Sequence, residues 1–152
     1  MTASDGPYHH IVVGTDGSAS ARGAVRHAAE LAAATGARLT VVSAYTRHDQ
    51  LEAEREVGSS DSWIVTDAAA AQAHVGEAQD LARSLGITDL GGRTEPGHPA
   101  GVLLDVAAEI AADVIVVGSK GMASASRFVL GSVPNRVSHH ATCDVIIART
   151  AD

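Results

Sequence analysis

The run Ile11-Val12-Val13 is wholly apolar and is closed by Gly14. Short β-branched runs cut off by glycine read as strands buried on both faces. From Ser18 the period changes: Ala21, Ala24, Val25, Ala28, Leu31 and Ala32 recur at helical spacing, with Ser18 placed to cap the first free amides and Gly36 to stop the helix. Residues 39–44 form a second apolar run. Asp67 is placed to cap an alanine-rich helix reaching to about Leu85, where Gly86 closes it. A weaker strand around 92–95 ends in Pro96-Gly97, and Pro99 opens a helix with Val102, Leu103, Val106 and Ile110 turned inward and Asp105 and Glu109 outward. The clearest strand is 114–117. A short helix over 132–140 carries Pro134 in its first turn, and 145–148 is the last strand.

The predicted order is therefore β-α-β-α-β-α-β-α-β, the signature of a parallel sheet with right-handed crossovers and helices on both faces. A polar lead of residues 1–7 precedes one domain over 8–150. Residues 45–66 carry clustered charge and the breaker Gly58-Ser59-Ser60, and read as a long loop of the size that functional lids occupy. Trp63 near its end reads as an anchor to the body.

Charge and composition narrow the function classes. A chain of 152 residues, 45% hydrophobic, supports one sizeable core, and its 3% aromatic content makes that core aliphatic. The formal charge of −7, with only 11 scattered Lys and Arg, argues against nucleic-acid binding. No run approaches the roughly 18 apolar residues of a membrane helix and the first residues lack a signal-peptide pattern, so a soluble cytoplasmic protein is expected. One cysteine, Cys143, rules out an internal disulfide and reads as a small residue entering the last strand. The eight histidines, His9-His10 and His139-His140 among them, show no metal-ligand spacing and read as surface or helix-end groups.

One internal echo carries chemistry. Ile11-Val12-Val13-Gly14 and Ile115-Val116-Val117-Gly118 are the same tetrapeptide, followed by Thr15-Asp16-Gly17-Ser18 and by Ser119-Lys120-Gly121. In a sheet of order 3-2-1-4-5 the two runs are neighbours whose connections leave to opposite faces. A crevice opens beyond their carboxyl ends, where open α/β sheets bind ligands. Gly14 and Gly118 would line it. Gly118, Gly121 and Gly131-Ser132 stand at G-x2-G-x9-G-S, with Val133 next. Glycines let backbone amides turn inward around an anion, and Gly131-Ser132 opens a helix whose dipole and free amides favour phosphate. Lys120 adds a positive charge. Asp16 can accept from ribose hydroxyls or hold Mg²⁺ between phosphates; its structural alternative is a turn or helix cap. No G-x4-G-K-[ST], G-x-G-x-x-G or G-x-S-x-G is present.

These segments, IVVGTDGS, LTVVSAY, DVIVVGSKG and GSVPNRVSHHATCDVIIAR, resemble the universal stress protein family in its nucleotide-binding branch, over residues 8–150. The resemblance implies an α/β fold of the adenine-nucleotide alpha-hydrolase-like (Rossmann-like) type, a five-stranded parallel sheet of order 3-2-1-4-5. It also implies a homodimer through the last strand at 145–149. Adenine would sit near Thr15, Asp16 and Ala44, ribose near Asp16, and phosphates on Gly118, Gly121, Gly131, Ser132 and Val133. Lys120 stands where many relatives carry Arg or His, and Gly14 where some carry Pro. The expected ligand is ATP or another adenine nucleotide (ADP, AMP or cyclic AMP), with Mg²⁺ as an accompanying ion. A binding module in the stress response is the first reading; a slow ATP hydrolase using Asp16 and Mg²⁺, and an interaction scaffold with a vestigial pocket, are the alternatives.

Overall fold

The computed structural model describes residues 6–46, 67–119 and 131–149. The loop expected over 45–66, Trp63 within it, Lys120 and Gly121 therefore lie outside the described residues, except that Tyr45 ends a strand and Thr46 follows it. Strands and helices alternate as β1 (His10–Gly14), α1 (Ala19–Thr35), β2 (Arg38–Tyr45), α2 (Ala68–Ser84), β3 (Leu90–Pro96), α3 (Pro99–Glu109), β4 (Val114–Gly118), α4 (Ser132–His140) and β5 (Asp144–Ala148). The sheet is parallel throughout, in the order β3-β2-β1-β4-β5.

Local chemistry starts and stops the helices where the sequence places the signals. Ser18 Oγ accepts the Ala21 amide at 3.1 Å, and Gly36, at φ 75°, ends α1 by donating to the Ala32 carbonyl. Asp67 Oδ1 accepts the Ala70 amide at 2.8 Å to open α2. His98 caps α3 through Nδ1, which accepts the Ala100 amide at 3.2 Å, a role that fits a helix-end histidine. The third strand is longer than its pattern suggests, because pairing with β2 runs from Leu90 to Pro96.

Alternation along each strand divides the core into two layers. Ile11, Val13, Leu39, Val41, Val114 and Val116 face α1 and α2, where Ala24, Val25, Ala28, Val75, Ala78 and Ala82 meet them. Val12, Val42, Ile115 and Val117 face Val102, Leu103 and Val106 of α3 and Val137 of α4. Small residues on α1 and α2 let those helices lie close to the sheet. Ile110, expected inward, is only half-buried at the end of α3.

The amino ends of the strands are tied by side chains from both halves of the chain. Asp113 accepts the His9 and His10 amides at 2.7 and 2.9 Å, His10 Nε2 lies 2.9 Å from Thr40 Oγ1, and the Tyr8 hydroxyl donates to Asp144 at 2.9 Å. That end is structural. The opposite, carboxyl end of the sheet is where connections to the two layers part.

Candidate functional site

Strands β1 and β4 are hydrogen-bonded neighbours, Ile11 beside Val114 and Val13 beside Val116. Leaving β1 the chain passes to α1 in one layer; leaving β4 it passes to α4 in the other. The reversal of connections expected at the repeated tetrapeptide is therefore present, the position at which open α/β sheets bind ligands.

On the β1 side, the Thr15 amide donates to the Val42 carbonyl at 2.9 Å, which holds the turn against β2. Thr15 Oγ1 accepts the Gly17 amide at 3.2 Å, and Asp16 Oδ1 accepts the Ser18 amide at 3.0 Å. Gly17 stands at φ 80°, in the left-handed region that favours glycine. Asp16 thus does take the turn-forming role weighed for it. Ala44 lies two residues beyond Val42, the partner of Gly14 in the register, and is half-buried against the α3 layer.

On the β4 side, the Ser119 amide donates to the Ala148 carbonyl at 3.0 Å, and the Ser119 carbonyl accepts the Gly131 amide at 2.9 Å. The second bond brings the two ends of the G-x2-G-x9-G-S segment together. Gly131 is the N-cap of α4 and offers no side chain, so α4 alone among the described helices begins without a side-chain cap. Its third residue, Pro134, has no amide to leave unsatisfied, which concentrates the helix-start donors on Ser132 and Val133. Ser132 is exposed and Val133 half-buried.

Gly14 and Gly118 prove to serve packing. A Cβ on Gly14 would stand 2.8 Å from Leu103 Cδ1 in α3, whereas one on Gly118 would stand 2.8 Å from the Ser20 carbonyl oxygen in α1. The two strand-ending glycines thus admit helices on opposite faces of the sheet.

Among the described residues no group of three His, Cys, Asp or Glu side chains is arranged to hold a metal, so Asp16 belongs to no such group. The half-buried Cys143 thiol is pushed up by burial and then by Asp144, which keeps it protonated and poorly nucleophilic. Among the described histidines two depart from the surface or helix-end role expected of all eight: His10, half-buried in β1, and His74. His74 lies in the middle of α2, half-buried beside Gly17, with Nδ1 buried and unpartnered. The signal was its spacing: it sits three residues after Ala71 and four before Ala78, inside the buried stripe of the helix. It lines a cleft of about 80 Å³ between α1 and α2, together with Thr15, Gly17, Ser18 and Glu77.

Comparison with known proteins agrees with this fold. The model of the universal stress protein family matches residues 7–149. Universal stress protein Rv1636 of Mycobacterium tuberculosis (strain H37Rv) is 36% identical over 143 residues, 94% of this chain and 97% of its own. A universal stress protein crystallised in complex with cAMP superposes with a TM-score of 0.71 at 34% identity, covering 95% of this chain and 98% of its own. The universal stress protein from Archaeoglobus fulgidus in complex with dAMP gives a TM-score of 0.65 at 26% identity, over 93% of this chain and 98% of its own.

Proposed function

Because this chain belongs to the universal stress protein family, we propose that it binds an adenine nucleotide in the crevice beyond β1 and β4, as a regulatory or storage module in the stress response. The observation that carries the reading is the uncapped start of α4, held beside the end of β4 by the bond from the Gly131 amide to the Ser119 carbonyl. Free amides at a helix start, with the positive end of its dipole, are a ready anion site. Relatives crystallised with cAMP and with dAMP support an adenine nucleotide as that anion.

In this reading the phosphates meet Gly118, Lys120, Gly121, Gly131, Ser132 and Val133, the ribose meets Asp16, and the base lies by Gly14, Thr15 and Ala44. Mg²⁺ enters only as a bridge between Asp16 and phosphate oxygens, since magnesium takes a carboxylate or two and leaves the rest of its shell to phosphate and water. Binding without appreciable turnover is the expected behaviour. Among the described residues the outer edge of β5 pairs with no strand, and Val145, Ile146 and Ile147 are half-buried. A homodimer through that edge would cover it. No helix of the described residues is long and apolar enough to cross a membrane; the proposed setting is the cytoplasm.

The test is to denature purified protein, identify released nucleotide by mass spectrometry, and compare thermal shifts with ATP, AMP and cyclic AMP. Ligand at a hundred times its Kd stabilises by about 2.7 kcal/mol, a rise of roughly 5–11 °C for a domain of this size. Ser132→Glu sets a carboxylate at the start of α4, where it suits the dipole but repels phosphate. It should keep or slightly raise the intrinsic Tm while weakening nucleotide binding at least tenfold. Full affinity in that variant would remove α4 from the site.

A further inference from the structure

The turn that carries Thr15 and Asp16 is held from outside by a side chain that neither strand supplies. Gly17 adopts φ 80°, and a Cβ there would lie 2.6 Å from both Cδ2 and Nε2 of His74. The imidazole edge thus occupies the space over Gly17 that a side chain on the turn itself would otherwise fill. Hydrogen bonds also hold the turn: Gly17 amide to Thr15 Oγ1 and Ser18 amide to Asp16 Oδ1 within it, and Thr15 amide to the Val42 carbonyl of β2. Those bonds fix the backbone locally, and His74 adds a contact from α2.

The identity of the residue is informative. His74 Nδ1 is buried without a hydrogen-bond partner, a condition that costs stability and that a leucine or phenylalanine at the same place would avoid. Arg22 and Glu77 line the same cleft, so charged groups of α1 and α2 flank the ring. A flat ring packed against Gly17 leaves the turn less room to move than a flexible chain would.

We propose that His74 is a positioning residue for the nucleotide site, its ring edge holding Thr15 and Asp16 toward the crevice and linking the site to α2. This rests on the adenine-nucleotide reading given above. The residue does not touch the ligand; it acts through Gly17.

Nucleotide affinity and stability separate this role from simple packing. Full-length protein is titrated with AMP by calorimetry, alongside His74→Ala, His74→Gln and His74→Phe, each also measured for Tm. The two variants without a flat ring should lose affinity about tenfold, while His74→Phe, which restores the ring, should bind within threefold of the parent. In the parent, the His74 imidazole resonances should shift as AMP saturates the site, a reading that needs no variant to fold. Unchanged affinity in His74→Ala or His74→Gln, whatever their Tm, or no movement of the His74 resonances on saturation, would overturn the proposal while leaving nucleotide binding intact. Absence of AMP, ATP and cyclic AMP binding by the parent would instead remove the nucleotide reading and this inference with it.

Discussion

Gly14 and Gly118 end the same tetrapeptide, yet replacing each by alanine should have unequal consequences. A Cβ on Gly118 would stand 2.8 Å from the Ser20 carbonyl oxygen and 3.0 Å from its carbon. Ordinary contact begins at 3.4 Å, so the first turn of α1 must retreat by about 0.6 Å. It has little freedom to do so, because Ser20, Ala21 and Ala24 are buried against the sheet. Overpacking of this kind costs about 1–3 kcal/mol. Removing a glycine from the unfolded chain returns about 0.4–1 kcal/mol, since neither position has a positive φ to strain. Taking the middle of both ranges, the net loss for Gly118→Ala is about 1.3 kcal/mol, or roughly 3–5 °C in Tm at this chain length. Gly14→Ala meets only the δ-methyls of Leu103, which can turn aside at about 0.5–1.5 kcal/mol, so the glycine term nearly cancels it. Urea unfolding of both variants with a common m-value measures the difference. Gly14→Ala proving as costly as Gly118→Ala, or Gly118→Ala proving neutral, would refute the packing argument.

Stability should fall with acid in two windows. The His9 amide, and after it the His10 amide, hold Asp113 below the usual carboxylate range, giving stability that is full above about pH 3.9 and is lost as pH falls through the lower folded value. Burial, then Arg38, pushes His10 down, so the unfolded chain takes up that proton first and stability falls as pH drops below about 6.5. Urea midpoints between pH 3 and 7 should flatten at the low end in Asp113→Asn and at the high end in His10→Gln; an unaltered slope in either rejects its assignment. Asp67→Ala removes the cap on α2 and should cost about 1 kcal/mol, read as a lower urea midpoint, whereas an unchanged midpoint would mean that water satisfies the Ala70 amide equally well.

The elements were legible because local signals and burial agree. Ser18, Gly36, Asp67 and Pro99 mark helix ends that the structure keeps within a residue. The β1 and β4 runs are apolar on both sides because both faces of the sheet are covered. The strand around Gly91-Gly92 was harder to bound, since its extent is set by pairing with β2 and not by its own side chains. At the candidate site, the pairing of β1 with β4 followed from the strand order, but the packing role of Gly118 did not: which helix lies over a glycine is a tertiary fact. His74 was hidden for the same cause. A histidine inside an alanine-rich helix carries no local mark of the turn it touches, more than fifty positions earlier in the chain.

The tie between Asp113 and the amides of His9 and His10 spans sequence separations of 104 and 103 residues. The central strand therefore acquires its second neighbour only when the last third of the chain is available. During synthesis at about 5–20 residues per second, one edge of β1 would wait roughly 5–20 s for β4. Until then the nascent sheet can contain only β1, β2 and β3, with Ile11 to Val13 open along one side. A chaperone that shields apolar strands should matter most in that interval, and truncation before Val114 should yield a species that aggregates.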